Sequence, residues 1–272
     1  MKHRRSLATL AAAPFAPRHY NAAANALRRA ANPIDLMGRY VFRGGSYPHI
    51  VRMKAGDGEK VKIDIYSAED IMTIVEIFCR TDYPADANDR VIVDFGSNIG
   101  ISAIWYLSEA PQSFVYLFEP VPENVSRLQD NLKPFAGRFE LNPLAVGPQS
   151  GPVSFGVEQS GRYGGVGRET GETIEVECVD SNEVLSRVLK EHGAIDILKI
   201  DIETLEKQVT ERIPSAIAAR IKKIYVEYAF DANPLAETHD MRRVGQLMTH
   251  FIRKEGIGTG PAQAGAMAAA EM

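Results

Sequence analysis

Val91-Ile-Val-Asp94-Phe-Gly96-Ser-Asn98-Ile-Gly100 is the stretch that decides the fold of this chain. An apolar run closes on an acid and then turns through glycines toward a helix. Such a strand-to-helix turn leaves free backbone N–H groups and the positive end of a helix dipole facing the crevice above a sheet. Four further apolar runs follow: Phe114 to Glu119, Phe139 to Val146, Ile195 to Ile202 and Ile221 to Tyr228. Most are nearly continuous rather than alternating, as strands buried on both faces are. Between them, Val125, Leu128 and Leu132 share a stripe after a Pro122 start. Val184, Leu185, Val188 and Leu189 share another after a Ser181 cap. Strands alternating with helices predict an α/β fold, a doubly wound and mostly parallel sheet with right-handed crossovers.

Outward from that unit, Ser67 and Asp70 form a capping-box start ahead of Ile71, Ile74, Val75 and Phe78. Those four recur on one helical face, so a helix is expected to pack just before the first strand. Pro152 to Val157 and Thr173 to Val179 break the alternation and predict a β-hairpin insertion. Ser160 to Gly171, with five glycines, reads either as a mobile loop near the site or as an inert surface loop. Met241 to Arg253 reads as a helix, after which Glu255 to Met272 are mostly Gly, Ala and Pro. The expectation is therefore a sheet whose C-terminal strands are missing. Three regions result: a basic N-terminal helical arm and cap region at 1–66, a main domain at 67–256 and a low-complexity tail at 257–272. Within the first, residues 35 to 66, with Tyr40, Phe42, Tyr47 and the Gly44-Gly45 break, are expected to cap an acceptor.

The 272 residues are 45% hydrophobic and 24% charged, enough to bury a core. No apolar run approaches the roughly 20 residues of a spanning helix. The net charge of -4 argues against a nucleic-acid partner. Residues 1 to 34 nonetheless hold six bases and no acid, which allows weak contact with an anionic membrane surface. A secretory signal fits this arm less well, because its apolar stretch is short. Cys79 and Cys178 show neither disulfide nor zinc spacing, and a reducing, cytoplasmic location is expected. Oligomeric state is not legible.

A dinucleotide would require G-x-G-x-x-G, but Asn98 stands at the second glycine position of a G-x-x-x-G turn. S-adenosylmethionine fits better, with its carboxylate, ammonium, ribose diol and adenine. Asp94 or carbonyls of the turn are expected to accept from the ammonium. Glu119, 23 residues after Gly96 and at the end of the second strand, is expected to accept from both ribose hydroxyls.

Four motifs, in order over residues 91 to 206, resemble the FkbM-type branch of the class I S-adenosylmethionine-dependent methyltransferases. Asp94-Phe-Gly96-Ser-Asn98-Ile-Gly100 is similar to its D-x-G-x-N-x-G turn. Phe118-Glu-Pro-Val-Pro-Glu-Asn124, running on to Leu128 and Asn131, is similar to its F-E-P-x-P-x-N-x-x-x-L-x-x-N signature. Ala145-Val-Gly147 through Gly151 resembles the segment where the family places adenine. Asp196-Ile-Leu-Lys199-Ile-Asp201-Ile-Glu203 resembles its D-x-L-K-x-D-x-E stretch, although Thr204 stands where the family usually has glycine.

The resemblance implies a Rossmann-like fold and methyl transfer to a hydroxyl of a sugar or small metabolite. Cofactor contacts would come from Asp94, Gly96, Asn98, Gly100, Glu119 and Ala145. Catalysis would occur at the carboxyl ends of the strands. There Asp201 is the expected acceptor-orienting acid or base and Glu203 the second, while Lys199 and Glu227 are expected to meet the acceptor. These acids could hold magnesium, though no spacing demands it. A plain ion network holding the strand end is the alternative. His239 is a weaker candidate base, His192 is expected at the opposite sheet edge, and Trp105 in the core. Two other functions compete: a catalytically impaired cofactor-binding or scaffold protein, and a nucleic-acid methyltransferase. Against the second, no [N/D]-P-P-[Y/F/W] loop follows Lys199.

Overall fold

The structure is a computed structural model in which residues 17–56, 58–157, 164–167 and 172–257 are described. Helices α1 (Pro17–Arg29) and α2 (Pro33–Phe42) lead into an antiparallel pair, β1 (His49–Lys54) and β2 (Lys60–Ile65). Helix α3 (Ala68–Ile74) starts at the expected capping box. The Ser67 hydroxyl accepts from the Asp70 N–H, and the Asp70 carboxylate accepts from the Ser67 N–H at 2.9 Å. The helix then widens into a π-helical turn, Val75–Cys79. Ile71, Ile74, Val75 and Phe78 are all buried, as the spacing required.

The main sheet is built from β3 (Val91–Phe95), β4 (Phe114–Phe118), β5 (Phe139–Asn142), β10 (Ile195–Ile200) and β11 (Ile221–Val226), all parallel. Helices α4 (Ile101–Glu109), α5 (Pro122–Leu132) and α6 (Ser181–His192), with the short α7 (Glu206–Glu211) and α8 (Ser215–Ala218), connect them. Side chains of one strand feed two apolar layers. Ile92 of β3 joins Ile71, Phe78, Ile104 and Trp105, whereas Val91, Val93 and Phe95 join Leu185, Val188, Leu198 and Ile200. This alternation is the period-2 geometry of a strand covered on both faces.

A second sheet, in the order β6-β9-β7-β8, holds β6 (Ala145–Gly147), β7 (Gly151–Val157), β8 (Gly164–Val166) and β9 (Glu172–Asp180). The expected single strand Phe139 to Val146 is therefore two. It breaks at Pro143, which cannot donate to a ladder, and β6 pairs with β9 instead. Most of the glycine-rich Ser160 to Gly171 segment lies outside the described residues; Gly164 to Gly167 does not. The cap of α6 is Asp180, which accepts from the N–H groups of Asn182 and Glu183, and not Ser181.

The expected C-terminal helix is instead a hairpin, β12 (His239–Val244) and β13 (Met248–Arg253). It adds two antiparallel strands where none were expected, and among the described residues the sheet runs in the order β12-β13-β11-β10-β3-β4-β5. Met241, Val244, Met248 and Phe251 are spaced like a helical stripe because the hairpin is covered on both faces: Met241 and Phe251 pack into one apolar layer, Val244 and Met248 into the other. Phe251 is fully buried and packs edge-on against Phe230. Phe251→Ala is expected to cost about 3–5 kcal/mol in urea unfolding. A cost below about 1 kcal/mol would show that the hairpin is not part of the core.

Candidate active site

The glycine turn is set by close packing. Gly96 has φ of +83°, and a Cβ placed on it would lie 1.7 Å from the Asp201 carbonyl oxygen, so no other residue fits without moving β10. Gly100, at φ +87°, caps α4. The free N–H groups expected at this turn are not free. Gly96 and Ser97 both donate to the Phe118 carbonyl, at 3.1 and 3.0 Å, and Gly100 donates to the Ser97 carbonyl. The Asn98 N–H donates to Glu119 Oε2 at 3.0 Å, and Ile99 donates to the Asn98 side chain. The turn serves the site by fixing Glu119.

Glu119 is 5% exposed and borders the main cavity. Its Oε1 accepts from the Val121 N–H at 3.0 Å and from Asn124 Nδ2 at 3.2 Å. Burial raises its pKa to about 7 despite these three donors. A carboxylate offers about four acceptor positions, so one remains, on Oε2, for a hydroxyl; the sequence reading had assigned it two. The cavity measures about 460 Å³, inside the roughly 300–1,000 Å³ range of small-molecule sites. Gly96, Asn98, Glu119, Ala145 and Phe155 line it together with Lys199, Asp201, Glu203 and Glu227.

Lys199 brings a buried ammonium to this wall. Lys199 Nζ is 3.0 Å from Asp94 Oδ1 and 3.2 Å from Asp201 Oδ2, and donates to the Gly96 carbonyl at 2.9 Å. Burial works to lower the Lys199 pKa, but Asp201 and Asp94 outweigh it and raise it. Asp94 is fully buried, accepts from the Ser102 hydroxyl at 2.5 Å, and does not line the cavity. Both its oxygens are engaged, so it supports the turn rather than facing an ammonium in the cavity. Beside Asp201, the Glu227 carboxyl is pushed well above the usual range by the Asp201 charge and by burial. A hydrogen bond between the two carboxyls adds to this preference for the protonated form of Glu227.

The family model described as the methyltransferase FkbM domain matches residues 94–249. The chain belongs to this family. The matched segment runs from the end of β3 into β13 of the mostly parallel sheet described above. The chain is also 25% identical over 193 residues to the AMB antimetabolite synthetase AmbE of Pseudomonas aeruginosa. That match covers 56% of this chain and 9% of the far longer synthetase. Among solved structures it resembles a methyltransferase from Geobacter sulfurreducens, at 15% identity and a TM-score of 0.36, covering 61% of this chain and 72% of that one. It also resembles TYW2 of M. jannaschii in complex with AdoMet, at 13% identity and a TM-score of 0.35, covering 78% and 89%.

Thr204, where the resemblance leads one to expect glycine, has φ of +93°, with Glu203 before it at +54°. The usual glycine thus has a backbone reason. Here the Thr204 hydroxyl donates to the Val166 carbonyl at 3.2 Å, and Gly165 packs so closely that a Cβ would lie 2.5 Å from the Glu203 carbonyl oxygen. Strand β8 thereby closes over the strand ends, and Val166 and Phe155 border the cavity.

Two expectations fail. His239 is fully buried with its Nε2 3.1 Å from the Ile221 carbonyl, at the amino end of β11 and away from the cavity. The antiparallel course of the C-terminal hairpin puts it there. Burial lowers its pKa to about 4, leaving it neutral. Tyr40, Phe42 and Tyr47 do not line the cavity. Its outer wall is instead Met72, Thr73, Glu76 and Ile77 of α3 and the π-helical turn, with Tyr83 and Leu247. Asp201, Glu203 and Glu227 form no group poised for a metal among the described residues. His192 pairs with the Tyr116 hydroxyl, and Trp105 is core, its Nε1 donating to the Tyr83 carbonyl.

Tyr83, absent from the sequence reading, donates to Asp201 Oδ2 at 3.4 Å. Its segment carries no motif, and only the packing of the loop before β3 brings it in. Because Lys199 neutralises two carboxylates beneath the cavity, Lys199→Met is expected to cost about 3–5 kcal/mol in chemical unfolding. A variant as stable as the parent would contradict this clamp.

Proposed function

We propose that the cavity binds S-adenosylmethionine with the nucleoside between Glu119 and Ala145, and that the chain transfers its methyl group to a hydroxyl of a sugar or other small metabolite. The observation that carries this reading is the buried Glu119 carboxylate, held by three donors with one acceptor position left, in a cavity that continues to Asp201 and Glu227. A sugar hydroxyl matches that donor requirement, and small Ala145 beside Phe155 offers an apolar slot for a flat base.

When bound, this cofactor supplies a methyl group already activated on a sulfonium. The chain has then to align the acceptor and receive its proton. Asp201, fixed by Lys199 and Tyr83, accepts a hydrogen bond from the acceptor hydroxyl. As the acceptor oxygen takes the methyl group, the sulfur–methyl bond would break to leave a neutral thioether, and the hydroxyl proton would pass to Asp201. The Lys199 ammonium, 3.2 Å from Asp201 Oδ2, is placed to stabilise the Asp201 carboxylate. Glu203, at the mouth beside β8, contacts the far side of the acceptor.

Glu119 gives the cofactor step a pH signature. A donated hydroxyl favours the ionised carboxylate, so affinity for S-adenosylmethionine is expected to rise with pH through about 7 and to release a proton on binding below it. Calorimetry at about pH 5.5–7, below the roughly 7.7–8 at which an α-amino group titrates, is expected to show both effects. Glu119→Gln is expected to abolish the pH dependence and weaken binding; an unchanged profile would remove Glu119 from the cofactor site.

Transfer of a labelled methyl group to fractionated extract tests the acceptor class. Label is expected in small polar metabolites, and Asp201→Asn is expected to lower kcat by about 10²–10⁴-fold while changing cofactor affinity far less. Label in nucleic acid, or none with cofactor bound, would select a different function.

A further inference from the structure

We infer that the N-terminal helices form a docking surface for an anionic membrane. Helix α2 is apolar on two faces. Leu36 is buried in the core and Tyr40 packs against that core. On the opposite side Ile34 is 84% exposed, Val41 59% and the adjoining Phe42 83%. Ile34 and Val41 lie two turns apart on one stripe, and Gly38 between them faces open space, where an added Cβ would meet nothing. Leu27, 71% exposed on the last turn of α1, stands across the short link from Ile34, with Tyr20 exposed farther back on α1. A helix facing only water carries polar residues at such positions.

Charge names the occupant. Residues 1 to 54 contain ten bases and one acid, Asp35, whereas the remaining residues contain 21 bases and 34 acids. Asp35 is itself occupied by Arg39 and His49. Arg28 near the end of α1, Arg43 at the end of α2, and Arg52 and Lys54 on β1 are exposed. Large exposed apolar side chains on a segment rich in bases are the combination that enters a lipid interface and is held there by anionic headgroups. A nucleic acid would use the bases and leave Ile34 and Phe42 unsatisfied. The sequence supplied the charge; the exposed stripe comes from the fold. At its C-terminal end Arg43 lies 3.4 Å from the Met72 sulfur, and Met72 borders the cavity, so the docked face adjoins the cavity wall.

Sedimentation of the full chain with vesicles tests this. Binding is expected to phosphatidylcholine vesicles containing phosphatidylglycerol, much weaker binding to phosphatidylcholine alone, and a decline with added salt. The double variant Ile34→Ser/Phe42→Ser is expected to bind at least about tenfold more weakly, while affinity for S-adenosylmethionine and the far-ultraviolet dichroism stay as in the parent. Undiminished binding by that variant would leave only a charged arm and overturn the inference. So would absent binding to anionic vesicles at low salt, or self-association in the ultracentrifuge that Ile34→Ser/Phe42→Ser abolishes. Vesicle binding does not require methyl transfer, so its failure is separable from failure of the proposed reaction.

Discussion

The ammonium of Lys199 is the charge on which the site is assembled. It touches Asp94 at the end of β3, Asp201 just past β10 and the carbonyl of Gly96 in the turn between them. Two carboxylates so deeply placed would repel one another without it, and the glycine turn would lose its fixed distance from the strand ends. The same contact divides labour among the acids. Asp94 is consumed in support, Asp201 faces the cavity, and its charge together with burial favours the protonated form of Glu227 beside it.

That division alters what the glycines mean. A glycine turn before a helix commonly presents N–H groups to a ligand, but here those from Gly96 to Gly100 are all engaged. Gly96 exists because β10 passes so close that a side chain would strike the Asp201 carbonyl. Asn98, standing where a dinucleotide turn has its second glycine, uses its own N–H to hold Glu119. The site therefore presents a buried acceptor where a phosphate-binding turn presents donors, which agrees with a cofactor that carries no phosphate.

Much of the frame was legible because it follows from local periodicity. The parallel strands, the capping box at Ser67 and the shared parity of Lys199 and Asp201 are read from spacing alone. What spacing hid was tertiary. Met241 to Phe251 mimics a helical stripe because apolar side chains on the two covered faces of a hairpin fall at helix-like intervals, and this error made the sheet look unfinished. His239 followed it to the wrong end of the molecule. Glu76 and Tyr83 reach the cavity from segments with no motif, through a π-helical turn and a loop whose positions depend on packing. Tyr40, Phe42 and Tyr47 were assigned to a cap by aromatic content, which does not report direction. The outward stripe of α2 is likewise invisible until the buried face of that helix is known.

The central claim is that the nucleoside of a methyl donor lies against Glu119 with its sulfur directed toward Asp201. A crystal structure of the chain with S-adenosylhomocysteine tests it most directly. The account predicts a ribose hydroxyl within hydrogen-bonding distance of Glu119 Oε2, the base beside Ala145, and the sulfur facing the Asp201–Glu227 pair. A nucleoside bound elsewhere, or a Glu119 whose Oε2 meets only protein donors in the complex, would contradict it.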